Sequence, residues 1–323
     1  MTISESALQV RLRAITHEAQ SILSFELVPL DRNESLPAFS AGAHIDIQLS
    51  SGLSRSYSLL NDPQESHRYC IGVNKDLKSR GGSKQMHEKL RPGDILTVSH
   101  PKNLFPMNES ASFNVFIAGG IGITPLLSMM ARSKALGIPW RLHYATRTRA
   151  HAGFLNVIAS YEGQNGVEIH LNFDQEPGGQ MLNLNELIAK MPTGAHVYAC
   201  GPVPLLEAYE KATAALPPES VHREYFSSID VPANEGGYSV SLARRHQTIQ
   251  IIPGQTLLEG LIAAGVEPPY SCQQGVCGTC EVKVLEGIPD HRDLVLTDSE
   301  KAANDRMMVC CSGSRSASLV LDL

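Results

Sequence analysis

The spacing of hydrophobic positions changes twice along the chain. From Leu8 to about Phe105 they alternate with polar residues in short runs, as in His44-Ile45-Asp46-Ile47-Gln48-Leu49 and Tyr69-Cys70-Ile71-Gly72-Val73, with Pro92-Gly93-Asp94 as a turn. Short runs of this kind, punctuated by turn residues, predict an antiparallel barrel. From Asn114 to Phe226 apolar strands alternate with helical stretches: Val115-Phe116-Ile117-Ala118, a helix beginning near Pro125, Arg141-Leu142-His143-Tyr144, and His196-Val197-Tyr198-Ala199. That alternation predicts a parallel sheet with crossover helices. Asp230 to Gly237, with Pro232, Asn234 and paired glycines, has linker composition. Beyond it Tyr238 to Ala243 and Thr248 to Ile252 read as a hairpin, Thr256 to Ala264 as a helix, and Leu319 to Leu323 as a final strand. The expected organisation is therefore multidomain: a barrel over 1–105, an α/β domain over 106–228, a linker over 229–237 and a small domain over 238–323.

Composition narrows the class. A chain of 323 residues exceeds a single comfortable core, and 42% hydrophobic with 19% charged residues excludes disordered and fibrous proteins. A net charge of −6 without any Lys/Arg run excludes nucleic acid as a partner and favours a docking protein. Met1 to Val10 has neither a basic nor an apolar signal region, so the expected compartment is the cytoplasm. Val115 to Met130 is interrupted by three glycines and Pro125, and it is too short for a bilayer core of about 30 Å, so no membrane association is expected.

Five of the seven cysteines lie between Cys272 and Cys311. Clustering of this kind in a cytoplasmic protein points to metal rather than disulfides. Cys272, Cys277 and Cys280 are spaced C-x4-C-x2-C, and Cys310 follows after twenty-nine residues, the plant-type spacing of a 2Fe-2S cluster. Gly275 and Gly278 permit a compact loop whose amides face the sulfurs. The alternative is zinc, whose ribbons usually present paired C-x2-C motifs. Cys311 is expected to point away from the cluster in an extended segment, as a packed thiol.

Arg55-Ser56-Tyr57-Ser58-Leu59 offers an Arg for a phosphate, a Tyr to pack on a flat ring and Ser58 to hydrogen-bond the reactive edge of a flavin. Ser79-Arg80-Gly81-Gly82-Ser83 precedes an expected helix over Lys84 to Leu90 and suits a phosphate. Taken singly, the first motif reads equally as a strand with a surface Arg and a core Tyr, the second as a flexible turn. Gly119-Gly120-Ile121-Gly122-Ile123-Thr124-Pro125 follows an apolar strand into a helix, letting a pyrophosphate approach the backbone at Gly120, Ile121, Gly122, Thr124 and Pro125. It is not the G-x-G-x-x-G fingerprint. Thr146-Arg147 and Cys200-Gly201-Pro202 end two further strands and point to the same crevice, because open α/β sheets bind ligands at strand carboxyl ends. Asp174 ends another strand and suits an adenosine ribose while repelling a 2′-phosphate, which favours NADH; Arg147 equally suits a phosphate. Cys200 counts for its position near a nicotinamide rather than for reactivity.

Together with Glu224-Tyr225-Phe226, these motifs resemble, over the whole length, the phthalate dioxygenase reductase family of the ferredoxin-NADP reductase-like superfamily, especially the reductase components of vanillate O-demethylases. The order of flavin, nucleotide and C-terminal ferredoxin domains carries part of the resemblance. It implies FMN rather than FAD, NADH as electron donor, and a β-grasp fold for the ferredoxin domain. It implies that Phe226 lies against the flavin and yields to the nicotinamide, although Tyr225 is an alternative, and that Val73, Asn74 and Lys75 lie near the flavin. The implied function is an NADH-dependent reductase, monomeric, serving a Rieske-type oxygenase that holds the aromatic substrate. The alternatives are a carnitine-type monooxygenase as acceptor, or a non-enzymatic electron carrier. An excess of ten Asp and Glu over seven Lys and Arg from Gly236 onward suits docking to a basic patch, with Asp290-His291-Arg292-Asp293 either contributing or forming a solvated loop.

Overall fold

Val10 and Leu12 are fully buried between exposed neighbours, and Phe25 and Leu27 between half-buried ones, and this alternation makes strands of Leu8–Ala19 (β1) and Ile22–Pro29 (β2). The computed structural model of the chain describes residues 7–31, 33–49, 53–76, 81–226 and 232–323. It divides into two compact units, residues 3–226 and residues 227–323.

In the first unit, β1 and β2 join β3 (His44–Gln48), β4 (Ser54–Ser58), β5 (Tyr69–Asn74) and, after helix α1 (Gly82–Glu88), β6 (Ile95–Val98). They form one six-stranded antiparallel sheet in the order β4-β3-β6-β1-β2-β5. Its edges meet through an antiparallel bridge between Leu59 and Ile71, so the sheet closes into a barrel. Helix α1 starts two residues before the expected Lys84, because Gly81 adopts a left-handed φ of 101° and turns the chain into the helix at Gly82.

The rest of the unit is β7 (Asn114–Gly119), α2 (Ile123–Leu136), β8 (Trp140–Thr146), α3 (Leu155–Ala159), β9 (Val167–Phe173), α4 (Leu184–Ala189), β10 (His196–Cys200), α5 (Val203–Thr213) and β11 (Val221–Glu224). The five strands are all parallel, in the order β11-β10-β7-β8-β9. The barrel and this sheet share a core: Ala19, Ile22, Ala41 and Phe105 cluster with Phe116, Met129 and Tyr198. The Gly42 amide donates to Ser128 Oγ on α2 at 3.1 Å. The two halves are thus held in one fixed geometry, which is what a site shared between them requires.

The second unit contains β12 (Tyr238–Leu242), β13 (Gln247–Ile251), α6 (Leu257–Ala263), β14 (Glu281–Glu286), β15 (Pro289–Asp290), α7 (Asp298–Ala303), β16 (Arg306–Met308), β17 (Gly313–Ser314) and β18 (Ser318–Leu321). Its main sheet runs β13-β12-β18-β14-β16, with the first and last strands, β12 and β18, parallel and central. The hairpin, the helix and the final strand fall where the sequence places them, in a β-grasp arrangement. Both helices begin with capping boxes, Thr256 with Glu259 and Thr297 with Glu300. Among the described residues no helix is long and apolar enough to cross a membrane.

Candidate redox sites

The parallel sheet creates its own ligand crevice. After β7 the chain adds β8 and β9 on one side, then returns to lay β10 and β11 on the other, so the strand order reverses between β7 and β10. Gly119 to Gly122 and Cys200 to Pro202 leave these two strands at that point and touch. A methyl group on Gly122 would lie 2.2 Å from the Cys200 carbonyl oxygen and 2.7 Å from the Gly201 nitrogen, so only glycine lets the loops meet. The first loop is one turn of 3-10 helix, Gly120–Gly122, and α2 begins at Ile123, ahead of the expected start, with Pro125 inside its first turn. The Thr124 hydroxyl donates to the Ile121 carbonyl at 3.0 Å, and the space above Gly120 is open.

The other two crevice segments are joined to each other. The Asp174 amide donates to the Thr146 carbonyl and the Gln175 amide to the Arg147 carbonyl, at 3.2 and 2.8 Å. Asp174 Oδ1 is buried and has no hydrogen-bond partner, whereas Arg147 is exposed. From β10 to β9 the crevice spans three inter-strand steps, about 14 Å.

On the barrel, the register pairs Ile47 with Arg55 and Ile45 with Tyr57, so this Arg and Tyr share a face. The Arg55 stem lies over the start of α1, where a methyl group on Gly82 would come within 2.8 Å of Arg55 Cγ. Tyr57 is largely buried, which pushes its phenol up to about 12. Ser56 and Ser58 occupy the opposite face. The Ser56 hydroxyl donates to Asp46 Oδ1 at 2.6 Å, and Asp46 also pairs with Lys102 at 2.8 Å, so toward a flavin Ser56 presents backbone. Leu59 is fully buried in the barrel core. The Val73 carbonyl accepts from the His87 ring at 2.9 Å, Asn74 is exposed, and Lys75 pairs with Glu88 at 3.0 Å. Ser83 accepts the Asp76 amide at 3.2 Å. Arg80, with Ser79, and the turn at Ser51-Gly52 lie outside the described residues.

The two halves meet at Ser58. Its hydroxyl donates to the carboxyl of Glu224, the last residue of β11, which stands in register with Cys200 at the end of β10. Part of Glu224 reaches the surface, but its carboxyl end does not: Oε2 is buried and unpartnered. Burial raises this carboxyl to about 8, and the Ser58 bond only partly opposes the rise. Cys200 is fully buried; burial, and then the neighbouring Glu224, push its thiol well up, so it is not a nucleophile. The junction therefore holds a proton between the flavin strand and the nucleotide crevice. Sequence reasoning quoted Glu224 within a motif but assigned it nothing; the available signal was its place at a strand end opposite Cys200. The Tyr225 hydroxyl donates to Glu210 on α5 at 2.8 Å, leaving Phe226, 37% exposed, as the free aromatic ring.

In the second unit Cys272, Cys277, Cys280 and Cys310 are all buried. Their sulfurs lie within hydrogen-bonding reach in sequence around the set, Cys277 to Cys272, Cys272 to Cys310, and Cys310 to Cys280. The Gln274 amide donates to Cys272 Sγ at 3.3 Å, and Gln273, Gly275 and Gly278 all have positive φ, 54° and twice 68°. Four thiolates with amides wound toward them fit a 2Fe-2S core. Cys311 does not point away as expected: residues 309–311 form a turn rather than a strand, and its thiol reaches Cys310 as well as the Met308 carbonyl at 3.7 Å.

A barrel sharing a core with a switch-point nucleotide sheet, together with a ferredoxin-type unit carrying four buried thiols, defines an electron-transferring iron-sulfur flavoprotein reductase. The model of the 2Fe-2S iron-sulfur cluster binding domain matches residues 240–313. Phenoxybenzoate dioxygenase subunit beta of Ectopseudomonas oleovorans is 52% identical, over 97% of each chain. Tetrachlorobenzoquinone reductase of Sphingobium chlorophenolicum is 45% identical over 100% of each. The solved structure of phthalate dioxygenase reductase, a modular structure for electron transfer from pyridine nucleotides to a 2Fe-2S centre, matches with a TM-score of 0.77 at 37% identity, covering 98% of each chain. The chain belongs to the phthalate dioxygenase reductase family.

Proposed function

We propose that this chain oxidises NADH at the switch-point crevice, holds FMN on the Arg55 to Leu59 strand, and delivers electrons through a 2Fe-2S cluster on Cys272, Cys277, Cys280 and Cys310 to a Rieske-type oxygenase. The observation that carries the reading is the meeting of Ser58 with Glu224 and Cys200, which joins the flavin strand to the nucleotide crevice in one shared-core unit. When bound, FMN takes a hydride and releases electrons singly, and the cluster relays them. The chain's own residues position and hold. Gly120 to Pro125 and Cys200 to Pro202 bind the pyrophosphate and nicotinamide, Thr146 and Arg147 flank them, and Asp174 offers its unpartnered Oδ1 to a ribose hydroxyl, supporting NADH over NADPH. Arg55, with Arg80, Gly81, Gly82 and Ser83, takes the FMN phosphate. Val73, Asn74 and Lys75 flank the flavin. Ser58 tunes its reactive edge, and Phe226 covers the ring until nicotinamide displaces it.

The domain reading follows: FMN barrel 1–105, NAD domain 106–228, linker 229–237, ferredoxin domain 238–323. The protein works as a cytoplasmic monomer. Anaerobic addition of NADH to the cofactor-loaded protein should bleach the flavin and then produce the electron paramagnetic resonance signal of a reduced 2Fe-2S cluster. Failure of NADH to bleach the flavin sinks the proposal. The quinone-reducing relative favours a second reading, in which a small quinone takes electrons directly at the flavin. Cys310→Ser separates the two: quinone reduction at the flavin survives it, whereas reduction of an oxygenase does not.

A further inference from the structure

The charged run Asp290-His291-Arg292-Asp293 is not a solvated loop. Asp290 is bound by Arg292 and Arg315, and Arg292 also by Glu235, so the outer charges neutralise one another. The inner member goes the other way: the Asp293 side chain has no exposed surface. Its Oδ2 accepts the amides of Val295 and Leu296 at 3.2 and 2.8 Å, and its backbone carbonyl accepts Lys301 Nζ at 2.7 Å. Oδ1 has no hydrogen-bond partner and faces the His291 ring, 3.7 Å away and itself 8% exposed. That ring reaches toward the Lys301 backbone without completing a hydrogen bond.

This buried carboxylate backs onto the thiol loop. The Leu294 amide donates to the Gly275 carbonyl at 2.9 Å, midway between Cys272 and Cys277. A methyl group on Gly275 would lie 3.0 Å from Asp293 Cα and 2.5 Å from Cys311 Sγ. Asp293 thus packs directly against the loop at Gly275, beside the Cys311 thiol. An unexposed negative charge acts through a medium that screens far less than water, so its field reaches the sulfurs.

We propose that Asp293 is a positioning residue of the ferredoxin unit, which fixes the turn over residues 293–296 whose Leu294 amide holds the cluster loop at Gly275, and which lowers the reduction potential of the cluster through its buried charge, with Lys301 as the opposing charge. The inference rests on the four-thiolate cluster reading; absence of iron and acid-labile sulfide from the parent protein defeats that reading, whereas the potentials below decide this one.

The test is a redox titration of full-length, cofactor-loaded protein, following the cluster signal by electron paramagnetic resonance, with iron content measured alongside. Asp293→Asn keeps an oxygen for the two amides and removes the charge; it should retain the cluster and shift its midpoint potential upward. Asp293→Ala removes the acceptor as well and should lose a substantial part of the iron. Lys301→Met leaves the carboxylate less compensated and should shift the potential downward. Opposite signs for Asp293→Asn and Lys301→Met are the mark of charge, because loosened structure alone has no reason to produce them. A potential for Asp293→Asn equal to that of the parent, or an upward shift in Lys301→Met, overturns the proposal. Should Asp293→Asn fail to hold iron, the Lys301→Met potential alone decides the matter.

Discussion

At the scale of single residues, Glu224 is the most consequential group. Its carboxyl is raised to about 8 by burial, against an ordinary value of 4.5. A raised carboxyl favours the folded state while protonated: that stability is complete below the ordinary value and disappears as pH rises through about 8. We expect Glu224→Gln to melt closer to the parent at pH 5 and well above it at pH 9, by on the order of a few kcal/mol. Paired thermal melts at the two pH values check this; a constant difference would mean the carboxyl is not buried as described. Gly122→Ala sets a methyl against the Cys200 carbonyl at 2.2 Å. It should leave flavin content intact and raise the KM for NADH by about tenfold or more, a loss of at least ~1.4 kcal/mol of binding. The legibility of these two residues differs for a physical reason. Gly122 belongs to a local strand-to-helix turn that one stretch of sequence displays. Glu224 matters only because a strand register sets it beside Cys200 and the barrel brings Ser58 to it, neither of which any local pattern encodes.

At the scale of elements, the parallel sheet carries an acid sensitivity that its strands alone do not suggest. Register on neighbouring strands stacks His143 on His170, with ring centroids 4.7 Å apart, while His196 and His222 share a hydrogen bond of 3.0 Å. His143 and His222 are each lowered to about 4, first by burial and then by the partner imidazole. A lowered imidazole stabilises the fold above its ordinary value of 6.5, and the contribution is lost as pH falls through about 4. His222→Phe keeps the ring against Tyr198, which lies 4.4 Å from it, and removes the titration. Its melting temperature should fall less than the parent's between pH 7 and pH 4.5, as read by circular dichroism. Element identity was legible where alternation or helical spacing reflects burial directly, as at β7, β10, β12 and α6, and failed at residues 309–311, an expected extended segment that is a turn. Helix starts were less so: α1 and α2 both begin before the expected residue, where a left-handed glycine or a 3-10 turn does the work of a cap. The Asp290 to Asp293 run was the clearest misreading, since charge along a sequence does not reveal which carboxylate folds inward.

At the scale of the whole molecule, each of the two units has a core of its own. The proposed cysteine ligands stand out in the sequence because their spacing is that of a cluster, whereas the Asp293 carboxylate packed against their loop comes from a segment that only the fold brings there. Three of those ligands sit on one loop and the fourth, Cys310, enters after α7 and β16. The cluster is therefore also a rivet. Bound on the proposed ligands, it would tie Cys280 to Cys310 and close a ring around the twenty-nine residues between them, as a disulfide would. Closing a ring of that size removes disorder from the unfolded chain worth about 3–4 kcal/mol. Stripping the iron with a chelator should accordingly bring the first protease cuts into residues 281–309 while leaving residues 7–226 resistant, as mass spectrometry of a timed digest would reveal. A chain without iron would then carry an open seam in its second unit while the first stayed closed.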